Sequence, residues 1–320
     1  ARTVQAPGGV NQHAIAALSN AMVDIKAKSH GVPVAALFGG PVRTDIALYW
    51  SHCGSYRLRY ADLIGCAPVR DYDDIARVGA QVRERGFTAL KTSVLPFADG
   101  KLASFGPGFG WTPGFPELNL DPAVVTACGD LLRAFRDGAG PGVELMLDVN
   151  CHFRTEGFVR LARALEPLDL KWLEVDAAHP AALATVRRSS RVPIASYEAL
   201  YGRRGLRPYL DAQAADHAIV DVSWNGFLEA WKMAVLCDTY DVNVATHNYG
   251  GCLGECISAQ YAAAIPNFSV MEFDVDDVPI GGRLEKWPNP MCSHRVRLET
   301  VDQVDKELLG WMKKAYVQAE

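Results

Sequence analysis

Six acidic or histidine residues recur along the middle of the chain at intervals that suit repeated catalytic groups. Each stands at or near the end of a short apolar run, and successive members are 23 to 26 residues apart. The set consists of Asp148, Glu174, Glu198, Asp221, His247 and Glu272. A strand, a helix and their connections occupy a similar length of chain. The pattern therefore predicts that each residue closes one strand of a repeated strand–helix fold.

The first three residues of this set predict a metal site. Asp148, Glu174 and Glu198 would close neighbouring strands, and three buried negative charges repel one another strongly unless a cation lies among them. Ligand sets made only of oxygen select hard divalent ions, so we predict Mg²⁺, with Mn²⁺ as an alternative. For any one of these residues, a helix cap or an ion pair is the competing interpretation.

The last three residues predict acid–base chemistry. A carboxylate such as Asp221, bonded to one nitrogen of His247, would orient the ring and raise its basicity, leaving the other nitrogen to take a proton from a substrate. A buried histidine with satisfied hydrogen bonds is the alternative. Glu272 would supply a proton or a hydrogen bond on the opposite side, or would form an ion pair at the end of its strand.

The run "ALKTSVL" (89–95) adds a cation to this set. Lys91 lies at the end of an alternating apolar segment, where an ammonium is unfavourable unless it meets negative charge. A metal, a base and a lysine together are typical of proton abstraction next to a carboxylate, where Lys91 and the metal would stabilise the negative charge that accumulates.

Eight short apolar runs alternate with stretches of helical periodicity, which indicates an α/β fold. The runs occupy 46–51, 89–95, 144–150, 171–176, 193–198, 217–223, 243–248 and 268–274. Alternation alone does not distinguish a doubly wound open sheet from a (β/α)8-type barrel. The ionisable strand ends favour the barrel, because all its strands converge on one mouth, whereas the edges of an open sheet are too far apart to share a site.

Composition and charge exclude several classes of protein. The chain of 320 residues is 49% hydrophobic and 22% charged, and its formal net charge of −5 gives no reason to expect nucleic acid or a membrane surface as a partner. No apolar segment is as long as a membrane span, which needs about 20 residues. The eight cysteines form no CxxC pair, and their apolar surroundings are typical of free thiols in a cytoplasmic protein.

Seven stretches together resemble the enolase superfamily and, within it, the mandelate racemase subgroup. They are "MVDIKAKSHGVPVAALFGG" (22–40), "LMLDVN", "WLEVD", "ASYE", "IVDVSWNG", "VATHN" and "VMEFD". The resemblance implies a TIM-type barrel of the (β/α)7β variant that assembles as a homo-oligomer. It also implies that Asp148, Glu174 and Glu198 bind Mg²⁺ next to Asn150, and that Asp221 and His247 form the catalytic dyad.

The resemblance also predicts a domain organisation. Residues 1–45 would be helices that join a capping region to the barrel, and 46–275 would be the catalytic barrel with a lid-like insertion at 96–121. Residues 276–320 would form a C-terminal extension. Members of the family usually carry an α+β capping domain before the helices, and this sequence opens at those helices. The cap is therefore expected either to lie outside this sequence or to be lacking.

Two positions depart from the pattern of the family. The Glu-Glu-Pro that commonly follows the fourth strand is replaced by Glu174, Val175 and Asp176. The second lysine of the usual Lys-x-Lys is replaced by Ser93, which is no base at neutral pH without activation. We therefore predict one base rather than two.

The substrate is expected to be a small carboxylate. Ser93 lies where it would contact such a substrate, and "WSHCGSYR" at the first strand end would place His52, Ser55 and Arg57 near the mouth, where they would hold hydroxyls or a distal carboxylate.

These residues predict a Mg²⁺-dependent dehydratase of an acid sugar, either an aldonate or an aldarate. His247 would remove the proton next to the carboxylate, a β-hydroxyl would leave as water, and the product would be a 2-keto-3-deoxy acid. A racemase, epimerase or cycloisomerase on the same scaffold is the second hypothesis. A barrel retained as a non-catalytic scaffold is the third.

Overall fold

The computed structural model describes residues 8–98, 100–106 and 118–276, together with strand segments at 285–289 and 292–295. The chain divides into two compact units, residues 1–276 and 277–320. Two antiparallel strands, β11 (Glu285–Asn289) and β12 (Cys292–Arg295), are described in the second unit. None of the helices in the described residues is long and apolar enough to cross a membrane.

Eight parallel strands close into a barrel in the first unit, which confirms the predicted TIM-type fold. Each barrel strand pairs with the next barrel strand along the chain, and the last pairs with the first. The eight are β1 (Leu48–Trp50), β2 (Ala89–Ser93), β5 (Glu144–Asp148), β6 (Trp172–Glu174), β7 (Ile194–Ser196), β8 (His217–Asp221), β9 (Asn243–His247) and β10 (Phe268–Phe273). All eight lie within the apolar runs that the sequence marks as strands.

Helices connect successive strands of the barrel, as the alternating pattern predicts. They are α2 (Ser55–Ile64), α3 (Tyr72–Glu84), α4 (Pro122–Ala139), α5 (Thr155–Leu165), α6 (Pro180–Arg188), α7 (Gly202–Asp211), α8 (Val222–Asn225), α9 (Phe227–Asp238) and α10 (Gly251–Ala264). A long helix, α1 (Gly9–Ser29), precedes the barrel, and short 3-10 turns occupy Val34–Phe38 and Glu166–Leu168.

The connection between β2 and α4 contains the segment that the sequence predicts to be a lid. A short hairpin of β3 (Phe97–Ala98) and β4 (Lys101–Leu102) begins it. Residues 99 and 107–117 of the predicted lid at 96–121 lie outside the described residues. The closing of this segment over the mouth therefore stays a prediction.

Capping residues begin the helices on either side of this connection. The Asp71 side chain accepts a hydrogen bond from the Asp74 amide at 2.9 Å, and the Asp121 side chain accepts one from Ala123 at 2.8 Å. Pro122 occupies the first turn of α4, where its missing N–H leaves no hydrogen bond unmade. These short-range signals fix where the two helices begin.

Helices α3 and α4 approach closely because each presents a glycine to the other. A Cβ on Gly138 would collide with the backbone oxygen of Ala76, and a Cβ on Gly79 would lie 2.7 Å from the backbone oxygen of Phe135. Backbone atoms, unlike the end of a flexible side chain, have no room to move aside. The close contact between the two helices therefore requires residues without a side chain at both positions.

We predict that Gly138→Ala lowers the free energy of unfolding by about 2 kcal/mol or more, because the helices must separate to admit the methyl group. Denaturant titration followed by circular dichroism measures the change. Gly205→Ala on α7 is the matched control, since nothing lies within 4 Å of its Cβ. The control should leave stability unchanged or raise it by up to about 1 kcal/mol. Equal effects of the two substitutions would contradict the proposed contact.

Candidate active site

A layer of eight buried side chains fills the interior of the barrel and sets the height of the polar residues above it. The layer takes one residue from each barrel strand: Tyr49, Ala89, Met146, Trp172, Ala195, Ile219, Ala245 and Val270. Side chains two residues apart on a strand face the same way. Two residues beyond this layer stand Ser51, Lys91, Asp148, Glu174, Asp221, His247 and Glu272. The predicted site residues therefore converge on one end of the barrel.

The fifth strand of the barrel, β7, reaches the site by a different route. Tyr197 is two residues beyond Ala195, but its φ of 98° breaks the strand alternation and its side chain packs in the outer core. Glu198 follows, and its carboxylate lies 3.6 Å from Nε2 of His247. The positive φ of a non-glycine residue is uncommon and costs free energy. Here it brings Glu198 to the mouth one residue later than the alternation would.

Two of the three predicted metal ligands lie side by side. Asp148 and Glu174 are register partners on neighbouring strands. Asn150 donates two hydrogen bonds of 2.9 Å to Oδ1 of Asp148, one from its backbone amide and one from its side chain. The structure thus places Asn150 against the first carboxylate of the set, where it holds that group in one orientation.

Lys91 lies among these carboxylates. Its Nζ is 3.0 Å from Oε2 of Glu174, 3.1 Å from Oε1 of Glu272 and 3.9 Å from Oδ2 of Asp148. Burial alone would lower the pKa of Lys91, but the carboxylates of Glu174 and Glu272 outweigh burial and raise that pKa well above its ordinary range. The side chain therefore stays charged, and it neutralises negative charge rather than removing a proton.

A further carboxylate, Asp176, belongs to this cluster. Burial raises the pKa of Asp176 to about 7, and the charges of Asp148 and Glu174 add to the effect, whereas a hydrogen bond with Glu198 opposes it. Sequence reasoning treats this position only as a departure from the family pattern. The signal that identifies it is the two-residue spacing from Glu174, which places both side chains on the same side of the chain.

The electrostatics of the cluster favour a cation. Burial raises the pKa of Glu174 to about 8 despite the opposing charge of Lys91, and burial followed by the charge of Asp176 raises that of Glu198 to about 8. Oε1 of Glu174 is buried without a hydrogen-bond partner among the described residues. Buried carboxylate oxygens that lack partners are the ligands that a hard divalent ion prefers.

The side chains do not form a closed metal-ligand set as they stand. Within the described parts of the chain, no three histidine, cysteine or acidic side chains are arranged as a group that could hold a metal ion. The ammonium of Lys91 lies beside Glu174 instead. The chemistry of Asp148, Glu174 and Glu198 fits a hard divalent cation, and we treat their role as ligands as part of the proposed function below.

His247 and Asp221 form the predicted dyad on neighbouring strands. They are register partners, and Nδ1 of His247 is 2.6 Å from Oδ2 of Asp221. The second oxygen of Asp221 accepts a 2.6 Å hydrogen bond from the amide of Trp224. This bond caps the start of the short helix α8 and fixes the carboxylate. The Trp224 ring packs against the imidazole at 4.8 Å between centroids.

The free nitrogen of the dyad faces negative charge. Burial alone would lower the pKa of His247, but the charge of Glu198 and the hydrogen bond that the ring donates to Asp221 outweigh burial and raise that pKa to about 10. The imidazole is therefore protonated at neutral pH, with the carboxyl group of Glu198 beside its Nε2. A base at this position requires the charge of Glu198 to be neutralised by another partner.

Glu272 is held ionised between several donors. Ser51 donates to its Oε1 at 2.5 Å, and the amide of Asn248 donates to its Oε2 at 2.7 Å. Burial alone would raise the pKa of Glu272, but Lys91 and the two histidines of the mouth outweigh burial and lower it to about 2. Of the roles that the sequence suggests, these contacts and the 3.1 Å ion pair with Lys91 favour an ionised group that accepts hydrogen bonds over a proton donor.

The predicted substrate-binding residues occupy different surroundings. Ser93 ends β2 in register with Asp148, half-buried at the mouth. Nδ1 of His52 lies 3.1 Å from Oδ2 of Asp274 at the end of the neighbouring strand. Both residues are therefore near the cluster, and their contact with a substrate stays a prediction.

Arg57 is committed to partners inside the protein. Its Nε and Nη2 donate to the two oxygens of Asp276 at 2.9 and 3.0 Å, and Nη1 donates to Gln81 at 2.6 Å. The residue is 4% exposed, and its guanidinium lies over the ring of Trp50. We therefore leave Arg57 out of the proposed site, because its guanidinium is buried and all three of its nitrogens already donate to Asp276 or Gln81.

Comparison with known proteins shows which family this chain belongs to. The model of the family described as "Enolase C-terminal domain-like" matches residues 74–300. A D-xylonate dehydratase of Haloferax volcanii is 29% identical over 314 residues, which are 92% of this chain and 71% of that protein. A D-galactonate dehydratase family member of Musicola paradisiaca is 27% identical, over 83% of this chain and 65% of that protein. The chain thus spans about two thirds of the length of these relatives.

Solved structures extend the comparison. A protein of Burkholderia xenovorans strain LB400, whose name proposes L-alanine-DL-glutamate epimerase activity, is 43% identical with a TM-score of 0.83, over 86% of this chain and 70% of that chain. A second structure of that protein is bound to magnesium and fumarate. The closed barrel, the polar residues at its mouth and these similarities agree. The chain belongs to the enolase superfamily, in its mandelate racemase subgroup.

Proposed function

We propose that the chain is a Mg²⁺-dependent dehydratase of an acid sugar, an aldonate or an aldarate. The observation that carries the proposal is the pairing of one imidazole–carboxylate dyad with a carboxylate cluster that contains Lys91. Relatives named as dehydratases of D-xylonate and of the D-galactonate family support the reaction class. Because the chain spans about two thirds of those relatives, the activity is a proposal for the whole protein.

Asp148, Glu174 and Glu198 would hold the metal ion. When bound, Mg²⁺ would supply positive charge to the substrate carboxylate and to the enediolate that forms from it. Lys91, which stays protonated, would lie next to the same carboxylate and share this task. Glu272, held ionised by Ser51 and Asn248, would accept a hydrogen bond from the substrate.

His247 would remove the proton next to the carboxylate. Its Nδ1 is held by Asp221, so Nε2 is the atom that takes the proton. As a metal ligand, Glu198 would no longer raise the pKa of His247 with its full charge, and the imidazole would titrate nearer to neutral pH. The same nitrogen would return the proton to a hydroxyl that leaves from the same face, whereas a hydroxyl that leaves from the opposite face requires a second acid.

We predict that Mg²⁺ binding releases protons and strengthens as pH rises from about 6 to about 9. The pKa values of Glu174 and Glu198, each raised to about 8, mean that metal-free carboxyl groups hold protons that a cation must displace. Isothermal titration calorimetry in two buffers of different ionisation enthalpy measures the protons released. Affinity that does not change across this pH range would contradict the assignment of these ligands.

A pair of substitutions tests where the metal binds. Glu174→Gln should weaken Mg²⁺ binding by at least about 10-fold, because it removes the charge of a ligand. Glu144→Gln is the matched control, since Glu144 is an exposed carboxylate at the opposite end of the barrel, where it pairs with Lys171 at 2.6 Å. A control variant that loses affinity as strongly as Glu174→Gln would place the ion elsewhere.

His247→Asn should reduce dehydration by about 10²- to 10⁴-fold, the usual contribution of a general base. A screen of aldonate and aldarate stereoisomers, with D-xylonate among them, identifies the substrate through release of the 2-keto-3-deoxy acid. His30→Asn is the matched control, because His30 is exposed at the end of α1, the helix that precedes the barrel. An unchanged rate of dehydration in His247→Asn would contradict the role of His247 as the base.

An epimerase is the second candidate, favoured by the relative that is 43% identical. Epimerisation moves a proton from one face of the α-carbon to the other and normally uses two bases, whereas Ser93 stands where the family has its second lysine. In D₂O, an epimerase would incorporate deuterium at the α-carbon and invert it without loss of water. Detection of that product by NMR in place of a 2-keto acid would decide for this candidate.

A further inference from the structure

A second histidine–carboxylate pair stands at the mouth of the barrel. His52 follows β1 and Asp274 follows β10, two strands that pair directly with each other. Nδ1 of His52 lies 3.1 Å from Oδ2 of Asp274, with Oγ of Ser51 at 3.3 Å on the same nitrogen. The arrangement repeats that of His247 and Asp221: neighbouring strand ends, and a carboxylate on Nδ1.

The ring of His52 is held in place but remains accessible. It stacks on Tyr56 at 5.0 Å between centroids and 18° between planes, and it lies 5.5 Å from the ring of Tyr249. Its side chain is 21% exposed. No hydrogen bond to Nε2 is formed within the described part of the chain, so the nitrogen opposite Asp274 is available to a ligand.

The charges around His52 favour the form that carries a proton on both nitrogens. Burial alone would lower the pKa of His52, and Lys91 acts in the same direction, but Asp274 and Glu272 outweigh them and raise that pKa. Asp274 contributes both its charge and its hydrogen bond. An imidazolium whose Nδ1–H is held by a carboxylate can donate only from Nε2.

The position of His52 matches what the site lacks. In the barrel, β1 lies between β10, which carries Glu272, and β2, which ends at Ser93. Ser93 replaces the residue that would serve as the second acid–base group, and His247 stands on β9, two strands away from β1. His52 is thus an ionisable group next to β2, the strand on which Ser93 stands in place of a second lysine.

We propose that His52 is the acid that protonates the departing β-hydroxyl through Nε2, with Asp274 as its positioning residue. The inference rests on the proposed dehydratase function. Nε2 of His247 takes the α-proton, and the electron pair of the C–H bond enters the enediolate. That pair then forms the double bond between the α- and β-carbons as the β C–O bond breaks. The oxygen leaves with the proton of His52 as water, and the enol tautomerises to the 2-keto acid.

His52→Gln tests the proposal through three rates measured on the acid sugar that the wild-type chain dehydrates. They are the loss of water, the exchange of the α-proton with D₂O, and the elimination of fluoride from the corresponding 3-deoxy-3-fluoro acid. Fluoride leaves without a proton, so its loss needs His247 but not His52. We expect water loss to fall about 10²- to 10⁴-fold, while α-proton exchange and fluoride elimination stay within about threefold of wild type.

Two further variants separate a proton donor from a structural residue. Asp274→Asn should keep the acid but lower its pKa, so the rate of water loss should begin to fall at lower pH than in wild type. His30→Gln, at the exposed end of α1, should change none of the three rates. Circular dichroism of each variant reports whether it folds.

Each failure has its own signature. Equal losses of water and fluoride elimination in His52→Gln, or an unchanged rate of water loss, would overturn the role of His52 while leaving the dehydratase intact. A wild-type chain that exchanges the α-proton of acid sugars but releases no 2-keto acid would overturn the proposed function, and the role of His52 with it.

Discussion

The mouth of the barrel depends on one electrostatic constraint, which is that several carboxylates are buried around a single ammonium. Glu174 and Glu272 contact Lys91 directly, and Asp148 lies 3.9 Å from it. Taking an ion out of water costs several kcal/mol, and like charges at these distances add to that cost. One lysine does not balance the whole cluster, and burial, with the charges of neighbouring carboxylates, raises the pKa values of Glu174 and Glu198.

Closure of the barrel makes this unfavourable arrangement possible. A layer of packed side chains, including the large rings of Tyr49 and Trp172, fills the interior directly below the charged residues. Because both faces of every strand are buried, the backbone has little freedom to turn a carboxylate back toward water. The rigid strands hold the charges at fixed positions, as a site that must stabilise a short-lived anion requires.

The two histidines of the mouth differ in what surrounds them, and the difference suits opposite tasks. His247 is 9% exposed and faces Glu198. As a metal ligand, Glu198 would share its charge with the metal. The His52 side chain is 21% exposed, and its partner Asp274 is not among the proposed metal ligands. Metal binding would therefore lower the pKa of His247 more than that of His52, which separates a base from an acid within one site.

Much of the fold was predictable because its signals are local. Alternating apolar residues mark all eight strands, and Asp121 with Pro122 marks the start of α4. The two-residue period that marks a strand also selects Lys91 and His247 as side chains facing the mouth. The same period points to Asp176, two residues beyond Glu174, which the family pattern by itself does not mark.

The sequence by itself determined the strands, their polar ends and the family, since these depend on neighbours a few residues apart. Tertiary structure alone decided which ends meet: His52 with Asp274, and Arg57 with Asp276, each separated by more than 200 residues along the chain. These pairs exist because the last strand of the barrel closes on the first. Such contacts depend on register and closure of the sheet, which no short stretch of sequence encodes.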